Sequence, residues 1–230
     1  MQTHTQKNYF RTNRVLLLIT TFLLIFFLGA GCKALMTTVL LITGQDESPA
    51  KHKFLKGKTV AIVCLAQQMT DSRYDDVPRD LARVVGVDLE NHVKKIEIIP
   101  HSKVNRWLDR HERKIEDYTD FGKEMEADMV LAIEIYSFET SSMNSPGSYQ
   151  GRSSVSFTVY DINGDRPTIM ESVPSRIYPP NMRLTSNDLP EAQFRNEYIA
   201  KIAMDIGRYF YSYNPQDDVA MDARVGLNHL

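Results

Sequence analysis

Three carboxylates, Asp71, Asp75 and Asp76, fall close together in a polar, turn-rich stretch at 66–76. Acids at this spacing can hold a cation or a small polar ligand, or share the acid and base roles of a hydrolysis. Their commoner role is to complement the positive start of a following helix. Six histidines are present, and the nearest pair, His101 and His111, lies at either end of an expected helix, with no zinc-ligand spacing. Gly151-Arg152-Ser153-Ser154-Val155 opens like a nucleophile elbow. It lacks the second glycine, however, and leads into a strand instead of a strand-to-helix turn. No phosphate-cradling glycine loop occurs. Cys64 sits within Val60-Ala61-Ile62-Val63-Cys64-Leu65 and reads as a buried, inert thiol. These residues therefore imply no metal, no cofactor and no enzyme. The acids at 71, 75 and 76 are kept as a candidate ligand loop. Tyr211 falls off the main apolar stripe of the last helix, and with Tyr178 beside Pro179-Pro180 it is a candidate partner surface, since aromatics are favoured at interface centres.

The elements that position these residues follow from periodicity. A β-branched run without alternation at 59–65 predicts a strand buried on both faces. Val77, Leu81, Val84, Val85 and Leu89 recur at helical spacing over about 77–93, with Pro78 in the first turn. A second strand is expected at 95–100. A helix capped by Ser102 then carries Val104, Trp107 and Leu108, and another follows at about 120–127. A third strand runs over 129–138 and a loop over 139–149. The fourth strand, 150–162, has Val155, Phe157 and Val159 on one face and Ser154, Ser156 and Thr158 on the other. Asn163-Gly164 signals a hairpin into a fifth strand at 168–177, which Pro174 marks as an edge able to recruit a partner strand. The last helix starts at Asp188 with Glu191 completing a capping box. It buries Phe194, Tyr198, Ile202, Ile206, Phe210 and Tyr213, and Gly207 suits close packing on the sheet. The order β-α-β-α-α-β-β-β-α is an α/β arrangement, a mixed sheet of about five strands with helices packed on it.

The amino terminus sets the compartment. Lys7, Arg11 and Arg14 precede an apolar run from Val15 to Leu28, followed by Gly29-Ala30-Gly31-Cys32. A basic start, a short apolar middle and small residues before a cut point make a secretory signal. The cysteine after the small residues resembles a bacterial lipoprotein signal, although Gly29 stands where that pattern has leucine. The resemblance implies that 1–31 are removed and that Cys32 is lipidated, so membrane lipid is one partner. Lys33 after the cysteine, by resemblance to enterobacterial sorting, implies the outer membrane, with the domain on the periplasmic side. Residues 32–57 then hold the anchor cysteine, an apolar stretch at 34–43 and a linker; 58–213 form the domain, and 214–230 a disordered tail. The mature chain would carry 24 basic and 29 acidic residues, a formal charge of −5. That acidity argues against a nucleic-acid partner. With Cys64 left alone, no disulfide supports the fold.

Three segments carry a wider resemblance: Val60-Ala61-Ile62-Val63, Gly122-Lys123-Glu124-Met125-Glu126-Ala127 leading into Asp128-Met129-Val130-Leu131, and Val159-Tyr160-Asp161 before a glycine turn. Together they resemble envelope lipoproteins that share the fold of the TolB amino-terminal domain, a group with the curli secretion channel lipoprotein and the lipoprotein activators of penicillin-binding proteins. The resemblance implies a non-catalytic adaptor that binds an envelope protein or peptidoglycan. A ring-forming secretion accessory, or a small-ligand-binding or hydrolytic domain using the acids after the first strand, remain alternatives. The long alternating segments that a β-barrel pore requires do not occur between 58 and 213.

Overall fold

The apolar run that opens the domain lies inside the sheet, and the other elements are arranged to cover it. The computed structural model describes residues 47–67, 71–141, 147–164, 167–180 and 184–217. In chain order they form β1 (Thr59–Ala66), α1 (Val77–His92), β2 (Glu97–Ile98), α2 (His101–Arg110), α3 (Tyr118–Met125), β3 (Met129–Ser141), β4 (Ser148–Asp161), β5 (Pro167–Val173), β6 (Leu184–Thr185) and α4 (Glu191–Gly207). The six-stranded sheet has the order β2-β1-β3-β4-β5, with β6 paired to the start of β4. β1 is parallel to β2 and β3, and the β3–β4 and β4–β5 pairs are antiparallel. The expected mixed α/β order is thus observed, with the two-residue β6 added.

Two cores explain why β1 does not alternate. Val60, Ile62 and Cys64 point with Leu131, Ile133 and Phe157 toward α1 (Leu81, Val85, Leu89) and α4 (Phe194, Tyr198, Ile202). Ala61 and Val63 point with Val130 and Ala132 toward Val104, Trp107, Phe121 and Met125 of α2 and α3. Helices on both faces leave a central strand no wet side. The cover on the second face reaches β4 through Tyr118 on Tyr160 and stops short of β5 and of the far end of β3. There Tyr136 and Met170 are 40% and 73% exposed, while Val155, Phe157 and Val159 on the first face are buried.

Several boundaries differ from expectation for local reasons. The segment at 139–149 is not a loop throughout: β3 and β4 continue through Ser141 and from Ser148, with register shifts near Tyr136 and Thr140. Such bulges break the strict alternation that pattern reading relies on. Ser102 does not cap α2. Pro100 leads straight into the helix and its carbonyl accepts from the Lys103 N–H at 2.8 Å. Asp188 and Glu191 form no capping box. The Asp188 carboxylate accepts instead from the Thr185 N–H and hydroxyl, at 2.7 and 2.8 Å, which closes the turn before α4. Gly207 packs against α1, not the sheet: a Cβ there would lie 2.0 Å from Asp88 Oδ2. β5 ends at Val173, so Pro174 terminates the edge strand instead of interrupting it.

Residues 47–57, expected to finish a linker, are a packed strap. The compact unit begins at Glu47. Ser48 and Tyr213 exchange backbone N–H···O bonds of 2.8 and 3.0 Å, and the His52 N–H donates to the Tyr209 carbonyl at 2.7 Å. Leu55 is fully buried, and Phe54 packs edge-on to Phe210. Those two apolar residues are the anchors that the surrounding charges and Pro49 conceal. Glu171 of β5 receives Lys51 Nζ at 2.6 Å and His52 Nε2 at 3.1 Å. The Lys51 ammonium and His52 hold its carboxyl below the usual carboxylate range. A carboxylate depressed in the folded state stabilises above its unfolded pKa, and that contribution is lost as pH falls through the folded value. Glu171→Gln is therefore expected to melt below wild type at neutral pH, the gap closing as the pH drops below 4.5. Parallel melting curves at pH 7 and pH 3 with an unchanged gap would contradict the strap's electrostatic latch.

The expected signal, Cys32, the apolar stretch 34–43 and the tail from 218 lie outside the described residues. No helix among the described residues is long and apolar enough to cross a membrane.

Candidate functional site

Parallel strands need crossover connections, and in open α/β sheets the loops at their carboxyl ends shape the ligand crevice. A cleft of about 790 Å³ lies there in this fold, within the range of small-molecule sites. Its floor is Cys64-Leu65-Ala66 at the end of β1, with Glu134 of β3. One wall is the turn after β1 and the start of α1: Tyr74, Asp75, Asp76, Pro78 and Arg79. The opposite wall is the α2–α3 connection, with Arg113, Lys114, Ile115 and Tyr118.

Specific contacts fix each wall. Tyr74 is buried, and its hydroxyl lies 3.0 Å from Thr140 Oγ1 at the far end of β3, which pins the turn after β1 to the sheet. In the other wall, Glu112 and Arg113 both adopt left-handed backbone, φ 52° and 56°. Side-chain-bearing residues pay roughly 1–2 kcal/mol each for this conformation. In return the Arg113 N–H reaches the Leu108 carbonyl at 2.8 Å and closes the end of α2. Tyr118 stacks on Tyr160, with centroids 4.7 Å apart. Burial, aided by Glu134, pushes its phenol up to about 12. Its hydroxyl therefore stays protonated at neutral pH, a hydrogen-bond donor facing the cleft region.

The charges in the cleft are paired across short distances. Arg79 meets Asp76 at 2.7 Å, Arg113 meets Asp109 at 3.0 Å, and Lys114 lies 3.5 Å from Glu112. Glu134 accepts from Gln67 Nε2 at 2.9 Å and from the Tyr136 hydroxyl at 2.7 Å. Exposed pairs of this kind contribute about 0–1 kcal/mol each and exchange readily for a ligand's charges. The Cys64 thiol at the floor is driven far up by burial, so it is no nucleophile at neutral pH. Among the described residues no group of three or more His, Cys, Asp or Glu could hold a metal ion. What the cleft can do is bind: it offers both signs of charge, an amide and a phenol around an apolar floor.

The structure brings two of the three sequence-selected acids into this cleft. Asp75 and Asp76 line it, whereas Asp71 caps the short helical turn Ser72–Tyr74 and is gripped by the Arg73 guanidinium at 2.6 Å. The hydrogen bonds from Arg73 hold the Asp71 carboxyl below its ordinary value. The opposite wall escaped sequence reading, since nothing local marks Arg113, Lys114, Tyr118 or Glu134 as neighbours of Asp75. Tyr178 and Tyr211, expected at a partner surface, are packed into the domain. They are 4% and 7% exposed. Tyr178 stacks with Phe194 and Tyr198. Tyr211 donates to Asp88 Oδ2 at 2.8 Å and stacks on His92. Tyr211 is buried because the chain after α4 folds back over α1. Gly151 sits in mid-strand, where a Cβ would lie 2.7 Å from the Tyr198 ring, so the elbow-like motif is a packing site.

No protein-family model matches the chain, and no curated protein sequence matches it significantly. Distant likenesses are found among solved structures of bacterial proteins. The PelC dodecamer from Paraburkholderia phytofirmans aligns over 70% of this chain and 93% of its own at 10% identity and a TM-score of 0.41. The lipoprotein GNA1162 from Neisseria meningitidis aligns over 64% and 96% at 13% identity and 0.41. The protein CT253 from Chlamydia trachomatis aligns over 74% and 98% at 15% identity and 0.37. Likenesses this distant do not bear on what the chain binds.

Proposed function

We propose that this protein is an exported lipoprotein that works without catalysis as an adaptor. Cys32 carries the lipid, the domain faces the periplasm from the outer membrane, and the cleft at the carboxyl ends of β1 and β3 binds another envelope component, protein or peptidoglycan. The observation that carries the reading is the basic, apolar and small-residue series ending at Cys32. Two or more acyl chains hold a protein on a bilayer durably. The chain between Cys32 and Glu47 reaches at most about 50 Å when extended, so the domain would work close to that membrane. The cleft supports a binding role: Arg79, Arg113 and Lys114 hold only exposed ion pairs that a ligand's charges could replace, and its one thiol is suppressed by burial.

The test places a photoreactive amino acid at Lys114, an exposed cleft position, in the full-length protein in living cells. A discrete adduct is expected on irradiation, weakened by the double change Asp75→Asn and Asp76→Asn, with none from the same probe at Glu90 on exposed α1. A smear of neighbours identical at both positions would remove the cleft from the function.

A further inference from the structure

A second recess lies apart from the cleft, where the sheet outruns its helical cover. β5 stops at Val173, the chain leaves the sheet through Pro174, and α4 passes over β3 and β4 without closing the gap. The space is about 370 Å³ and is lined mainly by Val155, Val173, Ile177, Tyr178, Tyr198 and Ile202. Ile177 on its rim is 44% exposed.

One end of this recess is cationic. Arg176 and Lys201 line it, and among the described residues the one acid in its lining is Asp205. Asp205 is already engaged by Lys201 Nζ at 2.6 Å and by Arg208 at 3.6 Å. The exposed Arg176 guanidinium has no described hydrogen bond or ion pair. A smaller recess of about 300 Å³ continues past Pro174, Arg176 and Asp205 to Lys51 and Arg208. That extends the positive character beyond the apolar part.

We infer that this recess binds a small apolar carboxylate, its chain on the aliphatic and tyrosine wall and its head on Arg176. Size and charge both select this class. At about 30 Å³ per water-sized group the whole recess admits roughly 12 heavy atoms, a carboxylate of about eight to ten carbons with its head included. A planar guanidinium offers a carboxylate two parallel N–H donors. An amine of the same length would set its charge against Arg176 and Lys201, and an alcohol would keep only the apolar contact. The site is separate from the cleft and stands whether or not the cleft binds an envelope partner.

The experiment uses the full-length protein in phosphatidylcholine nanodiscs, with empty nanodiscs measuring partition into lipid, and reads the fluorine NMR signal of 8-fluorooctanoate. Saturable binding above the empty-disc background is expected, with 8-fluorooctylamine showing none. Arg176→Gln, a change at an exposed residue, is expected to weaken octanoate binding about tenfold, as loss of one charged hydrogen-bonded contact does. Ile202→Trp fills the recess and is expected to abolish binding in protein that still melts cooperatively. The inference is overturned if octanoate shows no saturable binding, if the amine binds equally well, or if Arg176→Gln leaves the affinity unchanged.

Discussion

Alanine at Gly151 is expected to destabilise the domain by about 2–3 kcal/mol, the upper part of the range for overpacking a well-filled core. For a domain of this size that lowers the thermal midpoint by about 4–12 °C. The added methyl would meet three ring atoms of Tyr198, each at 2.7 Å. That ring cannot step aside. It is 3% exposed, its hydroxyl donates to Ser153 Oγ at 2.7 Å, and the rings of Phe138 and Tyr178 pack against it with centroids 5.4 and 5.8 Å away. The gain from replacing glycine within a strand, about 0.5–1 kcal/mol, offsets only part of the strain. Combining Gly151→Ala with Tyr198→Leu should cost less than the two changes summed, because the clash then has no rigid partner. Strict additivity, or an unmoved melting midpoint for the single variant, would show that β4 and α4 are not packed through this pair.

If Cys32 carries the proposed lipid, serine there is expected to leave the chain without any. The thiolate is the nucleophile of cysteine chemistry, and a hydroxyl does not replace it. Cells fed radiolabelled palmitate should label the wild-type chain and leave Cys32→Ser unlabelled. Label that persists in the variant, or wild type that never acquires it, would end the lipoprotein reading. Cys64→Ser is the internal control, because a thiol buried in the sheet core should take up no lipid.

Most of the secondary structure was legible because its signals are local. The unalternating run at 59–65, the helical stripe from Val77 to Leu89 and the alternation of Val155, Phe157 and Val159 each need only a few neighbouring residues to declare themselves. The edge position of β5 was legible for the same reason, through Pro174. Errors arose where a short-range signal had a competitor. Asp188 serves a turn instead of a helix cap, Pro100 starts α2 ahead of Ser102, and two register shifts hide the strand ends around 136–150.

Sequence by itself determined the element order and the mixed α/β class, since each rests on composition or periodicity within one segment. Only the tertiary structure decided which side chains share a site. Parallel pairing of β1 with β3 carries Asp75 and Asp76 across from Arg113, Lys114 and Glu134, and the fold-back after α4 buries Tyr211 and ties down the strap at 47–57. Proximity between residues far apart in the chain comes from how elements cover a sheet. No local pattern encodes which face a given helix will cover or where that cover will end.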